Sequence, residues 1–463
     1  MQASSPLFSK LHEMKSEKLK SQDLKIGKPL RHRIFHAGSW TISGHVSSQV
    51  LRIGGNLVLT RLLFPEAFGL MAIVQSVIVG LVMISDLGIV TSIIHNKRGG
   101  EADFVNTAWT MRVIQSVIIW LLLCMLAPFL ASFYAQPMLN SLLPVVGFGS
   151  VLGGLASTKL ALINRSLALK KLVLIEVGSQ GIGLLVMILW AWVDHTIWSL
   201  VWGGLFGGFV KMVASHFLLE GAYNKFAWDR ASVRDLFGFG QWLLVSSILT
   251  FFAGEGNKLL LGAFLGVKVL SFFTLASAMS SMFWQISQQL SSKVLFPGYA
   301  EVIRERPERL RAVAAKSRLF LIIPGWLVAL FFVLWGDHFM GLLYDQRYAE
   351  SGNMLRMLAM GAMMWAIGGS YNGLLWAKGM VKMSTVILVA EVAIQWVGMI
   401  VGHHFMGERG VVLSAAVVAW LLYPVQAYVY AKIGLWEPKI DFPVIALSVF
   451  VVAFNFTEIF NHV

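Results

Sequence analysis

Long apolar segments separated by short polar ones fill almost the whole chain after residue 35. A helix that crosses a bilayer needs about 20 predominantly apolar residues, and each of these segments is long enough for one crossing. We therefore predict thirteen membrane-spanning helices, numbered in chain order as spans 1 to 13. They cover residues 36–62, 67–94, 104–134, 138–163, 170–193, 196–219, 236–256, 262–292, 316–336, 350–377, 381–404, 409–433 and 442–461. Span 1 is unusually polar and span 13 ends in polar residues, so totals of 12 to 14 transmembrane helices stay open.

Composition supports a membrane protein. Hydrophobic residues make up 57% of the chain, charged residues 13%, and the mean hydropathy is +0.71, whereas soluble domains carry about 25% charged residues. The loops are too short for a separate soluble catalytic domain, and the single cysteine, Cys124, excludes an internal disulfide. We predict an all-α polytopic membrane protein and exclude the disordered, collagen-like and nucleic-acid-binding classes.

The net charge of +13 is distributed unevenly along the chain. Twenty-seven of the 37 Lys and Arg residues lie in the N-terminal tail and in the loops after even-numbered spans, whereas the loops after odd-numbered spans hold five. Because cytoplasmic loops are enriched in Lys and Arg, the N-terminus and the even loops are predicted to be cytoplasmic. The tail lacks the apolar core of a signal peptide, and we interpret it as a basic arm near anionic lipid.

Two sequence echoes predict an internal repeat. The stretch Gly55–Leu59 recurs 201 residues later as Gly256–Leu260. A second echo, 210 residues apart, pairs Phe129, Tyr134 and Gln136 with Phe339, Tyr344 and Gln346. Both echoes relate helices six spans apart, so the two copies have the same orientation in the membrane and predict a path between two lobes.

The predicted organisation therefore has five parts, with two pseudo-symmetric lobes of six helices as the main ones. The parts are the basic cytoplasmic tail 1–35, an N-lobe 36–220, a cytoplasmic linker 221–235, a C-lobe 236–433 and an extra C-terminal span 434–463.

Nine charged residues fall inside predicted spans, where orientation does not explain them. A charge at the bilayer centre costs about 2.5–3.5 kcal/mol on insertion scales, so such residues usually face a cavity or one another. The cations are Arg52, Arg112, Lys159, Lys211 and Arg356, and the acids are Asp86, Glu176, Glu255 and Glu391.

Some of these charges have structural explanations as good as functional ones. Arg112 is close enough to the cytoplasmic interface to snorkel. Lys211 and Glu176 either reach that interface, pair with each other or line a pathway, and Arg356 near the outer end has the same alternatives. Arg52 is different, because a polar stripe accompanies it along span 1 and predicts a pathway role. The stripe consists of Ser43, His45, Ser47, Ser48, Gln49 and Asn56.

Two further acids and a break complete the pattern. Glu255 and Lys258 are one helical turn apart, so an i,i+3 ion pair and a pathway role are equally supported. Glu391 lies in mid-span and is a candidate for reversible protonation, because burial disfavours a charged carboxylate. Asp86 and Gly88, followed by Thr91 and Ser92, predict a bend in span 2.

Signatures of catalysis are missing from the sequence. It contains no Gly-x-x-x-x-Gly-Lys-Ser/Thr phosphate loop and no nucleophile elbow. Its eleven histidines are dispersed except for His403 and His404, which point apart on a helix. We expect gradient-driven transport rather than an enzyme, with no metal and no cofactor other than a coupling H⁺ or Na⁺.

Short motifs give the chain a family resemblance. They are Leu59-Thr60-Arg61-Leu62-Leu63-x-Pro65-Glu66-x-Phe68-Gly69, Ser85–Gly88, Leu174–Val177, Phe237-Gly238-x-Gly240, Leu260-Leu261-Gly262-x-x-Leu265-Gly266 and Val294–Pro297. Together they resemble the bacterial polysaccharide-biosynthesis exporters, the Wzx-type lipid-linked oligosaccharide flippases of the multidrug/oligosaccharidyl-lipid/polysaccharide exporter superfamily, over about residues 38 to 380. The chain departs from that family at Asn257-Lys258, where relatives tend to have Asp before the Arg or Lys.

The resemblance implies a MATE-like, V-shaped transporter of the bacterial inner membrane that works by alternating access. Its cargo would be an undecaprenyl-diphosphate-linked glycan, such as an exopolysaccharide, capsule or O-antigen repeat unit, moved to the outer leaflet. Its partners would be that glycan, membrane lipid and polysaccharide polymerase or export machinery, without nucleic acid.

Our site hypothesis assigns the two signs of charge to two tasks. The cations bind the diphosphate or an acidic glycan, and the acids carry the coupling ion. The cations are Arg52, Arg61, Lys159, Lys211, Lys258 and Arg356, and the acids are Asp86, Glu176, Glu255 and Glu391. A multidrug extruder of the same superfamily and a membrane glycan polymerase or ligase remain as rivals.

Overall fold

The computed structural model describes residues 30–86, 88–165 and 169–461, and its regular secondary structure in these ranges is entirely helical. Seventeen α-helices are numbered here in chain order within that part of the chain. They are α1 Leu30–Leu62, α2 Pro65–Ile84, α3 Ile89–His95, α4 Ala102–Phe133, α5 Leu139–Leu155, α6 Lys159–Arg165, α7 Leu169–Val193, α8 Trp198–Phe217, α9 Arg230–Ala253, α10 Glu255–Ser280, α11 Met282–Leu290, α12 Phe296–Glu305, α13 Leu310–Leu343, α14 Glu350–Gly369, α15 Leu374–Ala377, α16 Val381–Lys432 and α17 Pro438–Asn461. A π-helical turn at Ser291–Leu295 and 3₁₀ turns at Pro307–Arg309 and Gln346–Tyr348 complete the list.

Each predicted span has a helical counterpart, and the counterparts of spans 2, 4, 8 and 10 are interrupted. The predicted break in span 2 is confirmed, because α2 ends at Ile84 and Gly88 takes the left-handed conformation (φ 60°) before α3. Span 4 consists of α5 and α6, which are bent by 58° relative to each other. Most of the predicted tail 1–35 lies outside the described residues.

The boundary predicted between spans 7 and 8 is wrong. Span 7 was expected to end at residue 256 and span 8 to begin at residue 262, but the chain reverses at Gly266 (φ 71°, ψ 172°) inside α10. The residues next to the turn are apolar apart from Lys268, so hydropathy alone misplaces the reversal by several residues. Lys258, placed in a loop by the sequence, therefore lies within a helix.

By length and composition, eight helices among the described residues could cross a membrane, or nine if α5 and α6 form one span. The longest helix, α16, contains two predicted spans, 11 and 12. Its chain turns at Gly407 (φ 61°, ψ −138°), and Gly402 then lies against Gly410 on the returning helix. The protein is thus a multi-pass membrane protein.

We call residues 30–220 the first half and 230–461 the second half. The largest buried core combines side chains of both, such as Leu63 and Ile73 with Leu261 and Leu270. Contact is closest where α2 begins, because a β-carbon on Gly69 would stand 1.9 Å from the carbonyl oxygen of Val267. The halves therefore pack tightly at the predicted outer end.

The segment between the halves is bound to the first half. The backbone amides of Ala227 and Asp229 donate hydrogen bonds to Thr110 and Thr107 on α4. Hydrogen bonds from Ser232 and the Arg98 guanidinium lower the pKa of Asp229 to about 2. Asp229 therefore stays charged at physiological pH and keeps the start of α9 against the first half.

Candidate functional site

A cavity of about 370 Å³ lies in the second half, between α10, α11, α13, α14 and α16. Three of the sequence-predicted site residues line it: Glu255, Lys258 and Glu391. We call it the main cavity.

The predicted pair between Glu255 and Lys258 is confirmed. The Lys258 ammonium lies 2.8 Å from Glu255 Oε1 and 3.1 Å from Oε2. The Ser76 hydroxyl, on α2 of the first half, donates a 2.8 Å hydrogen bond to Oε2. This carboxylate is therefore neutralised by its own helix and also joins the two halves.

Glu391 enters the main cavity from α16 and is followed one turn later by Gln395, which lines the cavity on the same helical face. Nearby, Asn257 is 5% exposed, and its Oδ1 atom has no hydrogen-bond partner among the described residues. The rings of Trp284 and Trp365 form one wall, with their centroids 5.3 Å apart. The cavity thus combines a carboxylate, two amides and aromatic walls.

Helical position places Arg52 on the inner face of α1. Asn56, Leu59 and Leu63 follow it at spacings of four, seven and eleven residues, and the last two are buried in the core. The opposite face is lipid-like, with Val50 64% exposed. Arg52 itself is exposed and lies on the face that continues into the packed core.

Glu176 and Lys211 form the inter-helix ion pair that was one of the alternatives from sequence. Their closest atoms are 3.3 Å apart, and the side chains are about half exposed. Glu176 lies on the side of α7 that packs on α8, away from the exposed Leu174 and Leu185. One turn along α7, Gln180 accepts a 2.6 Å hydrogen bond from Ser48 on α1. Ser48 is one turn from Arg52, so these side chains form one polar surface of the first half.

Lys159 lies away from the main cavity, against the end of α8. It is 4% exposed, and its ammonium donates to the carbonyl oxygens of His216 (2.9 Å) and Leu219 (3.0 Å), with the Tyr223 ring centroid 4.5 Å away. A cation there satisfies the free carbonyl groups at the end of α8. We interpret it as a helix cap.

Arg356, Asp86 and Arg61 also lie away from the main cavity. Arg356 is 5% exposed and donates to the Val333 carbonyl oxygen at 2.9 Å, which ties α14 to α13. Asp86 accepts a 2.8 Å hydrogen bond from the Gly88 amide and so stabilises the break in span 2. Arg61 is exposed at the predicted outer end. Hydropathy could not separate such structural charges from ligand-binding ones.

Sequence reasoning missed a buried charge network in the second half. Arg318 and Asp441 are both fully buried, with 2.5 Å between Nη2 and Oδ1. Tyr371 and Tyr423 each donate a 2.8 Å hydrogen bond to Asp441 Oδ2. Arg318 was counted among the loop cations, and the signal that it belongs to a helix was its position two residues inside span 9.

At the predicted outer end, Tyr134, Arg347 and Tyr348 donate hydrogen bonds to the other half, and we call the shortest bond of each the outer clasps. Tyr134 of the first half donates to the carbonyl oxygen of Leu259 (3.0 Å). In return, Arg347 and Tyr348 of the second half donate to the carbonyl oxygens of Arg61 (2.9 Å) and Leu63 (3.2 Å).

The outer clasps involve the segments of both sequence echoes. Leu259 belongs to the first echo and Tyr134 to the second, and Leu63 follows the first-half copy of the first echo by four residues. The symmetry is approximate, because Tyr344, the counterpart of Tyr134, has a buried hydroxyl without a partner among the described residues.

Comparison with known proteins agrees with the family resemblance that the sequence motifs indicate. The family described as "Polysaccharide biosynthesis protein" matches residues 58–353. The succinoglycan biosynthesis transport protein ExoT of Rhizobium meliloti (strain 1021) is 21% identical over 323 residues, which cover 69% of this chain and 64% of that protein. The chain therefore spans slightly less than two thirds of the length of this relative.

Two solved structures show the fold. The inward-facing conformation of a multidrug resistance MATE family transporter of the MOP superfamily superposes with a TM-score of 0.70 at 13% identity, over 85% of this chain and 96% of that chain. The lipid II flippase MurJ, in an inward closed conformation, gives a TM-score of 0.67 at 13% identity, over 90% and 92%. The predicted MATE-like, all-α fold is confirmed.

Proposed function

The chain belongs to the polysaccharide biosynthesis protein family, and we propose that it is a secondary transporter that flips a lipid-linked oligosaccharide. In this proposal, the cargo is an undecaprenyl-diphosphate-linked repeat unit, which moves from the cytoplasmic to the outer leaflet by alternating access. The protein resides in the bacterial inner membrane with its N-terminus in the cytoplasm.

The observation that carries the proposal is the opposite charge of two polar surfaces. On the first-half surface, Arg52 and Lys211 face one acid, Glu176, so its net charge is positive. In the main cavity, Glu255 and Glu391 accompany one cation, Lys258, so the cavity has a net negative charge whenever Glu391 is ionised. Two sites of opposite sign suit an anionic cargo and a cationic coupling ion.

Arg52 is the residue we assign to the diphosphate. A guanidinium group offers five donors in a planar fork that matches phosphate oxygens. Lys211 is held by Glu176 at 3.3 Å, in a half-exposed pair that contributes little on its own. It can therefore exchange that partner for a phosphate.

Lys159 and Arg356 are left out of the proposed site, because both are buried and already engaged. The Lys159 ammonium binds two backbone carbonyl groups. Arg356 donates from Nε to the Val333 carbonyl group and lies 3.8 Å from Asp337.

Glu391 is the residue we assign to the coupling H⁺ or Na⁺. The charge of Glu255 is balanced by Lys258, whereas Glu391 shows no ion pair or hydrogen bond within the described residues. The Oδ1 atom of Asn257 and the amide of Gln395 add oxygen ligands of the kind that Na⁺ accepts, in the same cavity.

The outer clasps support loading from the inner leaflet. They hold the halves together at the predicted outer end, so cargo enters from the predicted cytoplasmic side in this conformation. Release to the outer leaflet then requires the clasps to break. Glycan polymerase or export machinery would take over the released lipid-linked unit.

The decisive experiment locates the glycan lipid in cells that lack the protein. We expect the lipid-linked repeat unit to accumulate on the inner leaflet, where a lectin labels it in everted but not in right-side-out vesicles. Re-expression of the intact chain should restore labelling in right-side-out vesicles. Normal outer-leaflet glycan in the deletion strain contradicts the proposal.

A multidrug extruder is the second candidate, and the negative charge and tryptophan wall of the main cavity favour it. Both features suit a lipophilic cation. An extruder would protect cells from ethidium or tetraphenylphosphonium, and its deletion would leave the surface glycan unchanged. Loss of glycan without a change in drug tolerance supports the flippase.

A further inference from the structure

A second cavity of about 130 Å³ lies near the predicted cytoplasmic end of the second half. It is bounded by α11, the π-helical turn Ser291–Leu295, α15 and the two ends of α16. We call it the entry pocket. None of the sequence-predicted site residues lines it.

The entry pocket contains polar groups whose hydrogen bonds are unmet. Ser291 is 2% exposed, and its hydroxyl oxygen has no partner among the described residues. Gln426 is 7% exposed and lines the pocket together with Gln288 and Asn372. These three amide side chains make no hydrogen bond to another described residue. Because buried polar groups normally find partners, these groups are available for a ligand.

The chemistry of the lining selects a neutral, hydroxylated ligand. No charged side chain of the described residues lines the pocket. Each amide offers both donors and an acceptor, which suits hydroxyl groups that also donate and accept. Phe296, Trp376 and Tyr430 add aromatic rings, which can cover the apolar faces of a sugar.

The size of the pocket limits the ligand to one ring. A cavity of about 150 Å³ in another protein takes up benzene, so the entry pocket, at about 130 Å³, has room for one face of a sugar ring and not for a second sugar. We propose that the entry pocket binds one uncharged pyranose ring of the glycan. This inference rests on the proposed function, because it names where that cargo is recognised.

The local backbone supports a binding role. The pocket is built on a π-helical turn, a conformation that is rare and frequent at functional sites. Opposite that turn, Gly373 has φ 87°, which other residues adopt at a cost. Both backbone conformations are less favourable than a regular helix. A role in ligand binding explains why they occur at this pocket.

The entry pocket is also connected to the main cavity by α11. Trp284 and Ser287 line the main cavity, and Gln288 and Ser291 line the entry pocket. These positions are three or four residues apart, so they share one side of the helix. A glycan chain can thus extend along α11 from the entry pocket toward the main cavity.

The test measures sugar binding by the purified full-length protein in detergent. The probes are methyl β-D-glucopyranoside and methyl β-D-galactopyranoside, and saturation-transfer NMR reports their dissociation constants. We expect at least one of them to bind, and the double variant Gln288→Leu/Gln426→Leu to weaken that binding at least tenfold. The matched control Gln289→Leu changes a neighbouring amide that does not line the pocket, and should bind like the unmodified chain. Equal binding by the double variant and the control overturns the proposal.

Two further measurements keep the result interpretable. Ser291→Ala removes a hydroxyl group that has no partner among the described residues. The unfolding temperature of this variant should be unchanged, whereas its sugar binding should weaken. Unchanged sugar binding contradicts the assignment of the entry pocket as a sugar site. Inorganic phosphate should not compete with the sugar, and competition would overturn the neutral-ligand assignment. Sugar binding is measured on the purified protein without transport. Its result is therefore independent of the leaflet assay, and a failure of one proposal can be told apart from a failure of the other.

Discussion

Arg52 is the exposed cation that our proposal assigns to the diphosphate of the cargo. It lies on the inner face of α1, and the ion pair beside it, between Glu176 and Lys211, is already satisfied. A hydrogen bond to a charged group contributes about 1.5–3 kcal/mol, and about 1.4 kcal/mol corresponds to a tenfold change in binding.

We predict that Arg52→Ala lowers glycan export about tenfold to a hundredfold, with normal amounts of protein in the membrane. Arg52→Lys should recover part of the loss, because it keeps the charge but not the planar fork. Surface glycan per cell is the measurement. Lys171→Ala is the matched control, since Lys171 forms an exposed pair with Glu220. Export that is unaffected by Arg52→Ala disproves the role of this residue.

For Glu391, the expected change is in coupling rather than in binding of the cargo. Glu391→Gln keeps the size and polarity of the side chain but removes the charge that would hold H⁺ or Na⁺. Transport in proteoliposomes should then no longer respond to an imposed pH or sodium gradient. Glu408→Gln, at the exposed turn of the same helix, should respond normally. A preserved response in the Glu391 variant contradicts the assignment.

At the residue scale, the sequence showed which charged residues are unusual, but it did not show their interaction partners in the folded chain. The i,i+3 pair of Glu255 and Lys258 could be predicted because both residues lie on one helix. Lys159 could not be interpreted in this way, because its partners are backbone carbonyl groups about 60 positions away. Residue spacing carries no information about carbonyl groups that become close only in the folded chain.

Among the elements, α17 is attached to the second half by the most deeply buried charges described. The Arg318–Asp441 pair, with its two tyrosine hydroxyl groups, joins α17 to α13, to α16 and to the turn that follows α14. Breaking a buried pair by removing one partner costs about 3–5 kcal/mol, whereas replacing both partners by apolar residues is often neutral.

We expect Asp441→Leu alone to destabilise the protein by about 3–5 kcal/mol, because it leaves a buried guanidinium without its counter-charge. The double variant Arg318→Met/Asp441→Leu should recover most of that loss. Thermal unfolding in detergent provides the comparison. Arg311→Ala, which breaks the half-exposed pair with Glu437, should cost less than about 1 kcal/mol. A double variant as unstable as the single one would show that the pair is not the cause.

The ends of several helices are determined by turns that the hydropathy pattern does not reveal. The break in span 2 was predictable, because Asp86 and Gly88 interrupt an apolar run with residues that favour turns. The position of the reversal at Gly266 was not, because apolar residues surround it apart from Lys268, and Gly262 is a second glycine in the same stretch. The two buried cavities could not be predicted either, since they depend on how five or more segments meet.

For the whole molecule, we expect the outer clasps to influence the balance between conformations. Each neutral hydrogen bond contributes about 0.5–1.5 kcal/mol, so the two tyrosine clasps together are sufficient to change the populations of two states severalfold.

We predict that the double variant Tyr134→Phe/Tyr348→Phe shifts the protein toward an outward-open state. The chain has one cysteine, so Cys124→Ser gives a background free of thiols. In that background, Ser277→Cys places a reporter in the main cavity. A membrane-impermeant maleimide added from outside should label it several times faster in the double variant than with both tyrosines present. Tyr344→Phe is the control, because its hydroxyl makes no clasp. Equal labelling rates in all three chains contradict a gating role.

The clasps also have a consequence for how this closure can evolve. Their acceptors are main-chain carbonyl oxygens at residues 61, 63 and 259, and every amino acid supplies that atom. Substitutions at these three positions leave the acceptor atoms in place, so the hydrogen bonds themselves do not restrict the side chains there, although Leu63 is also held by its packing in the core. Inherited changes in how readily the transporter opens should therefore concentrate at the donor positions 134, 347 and 348.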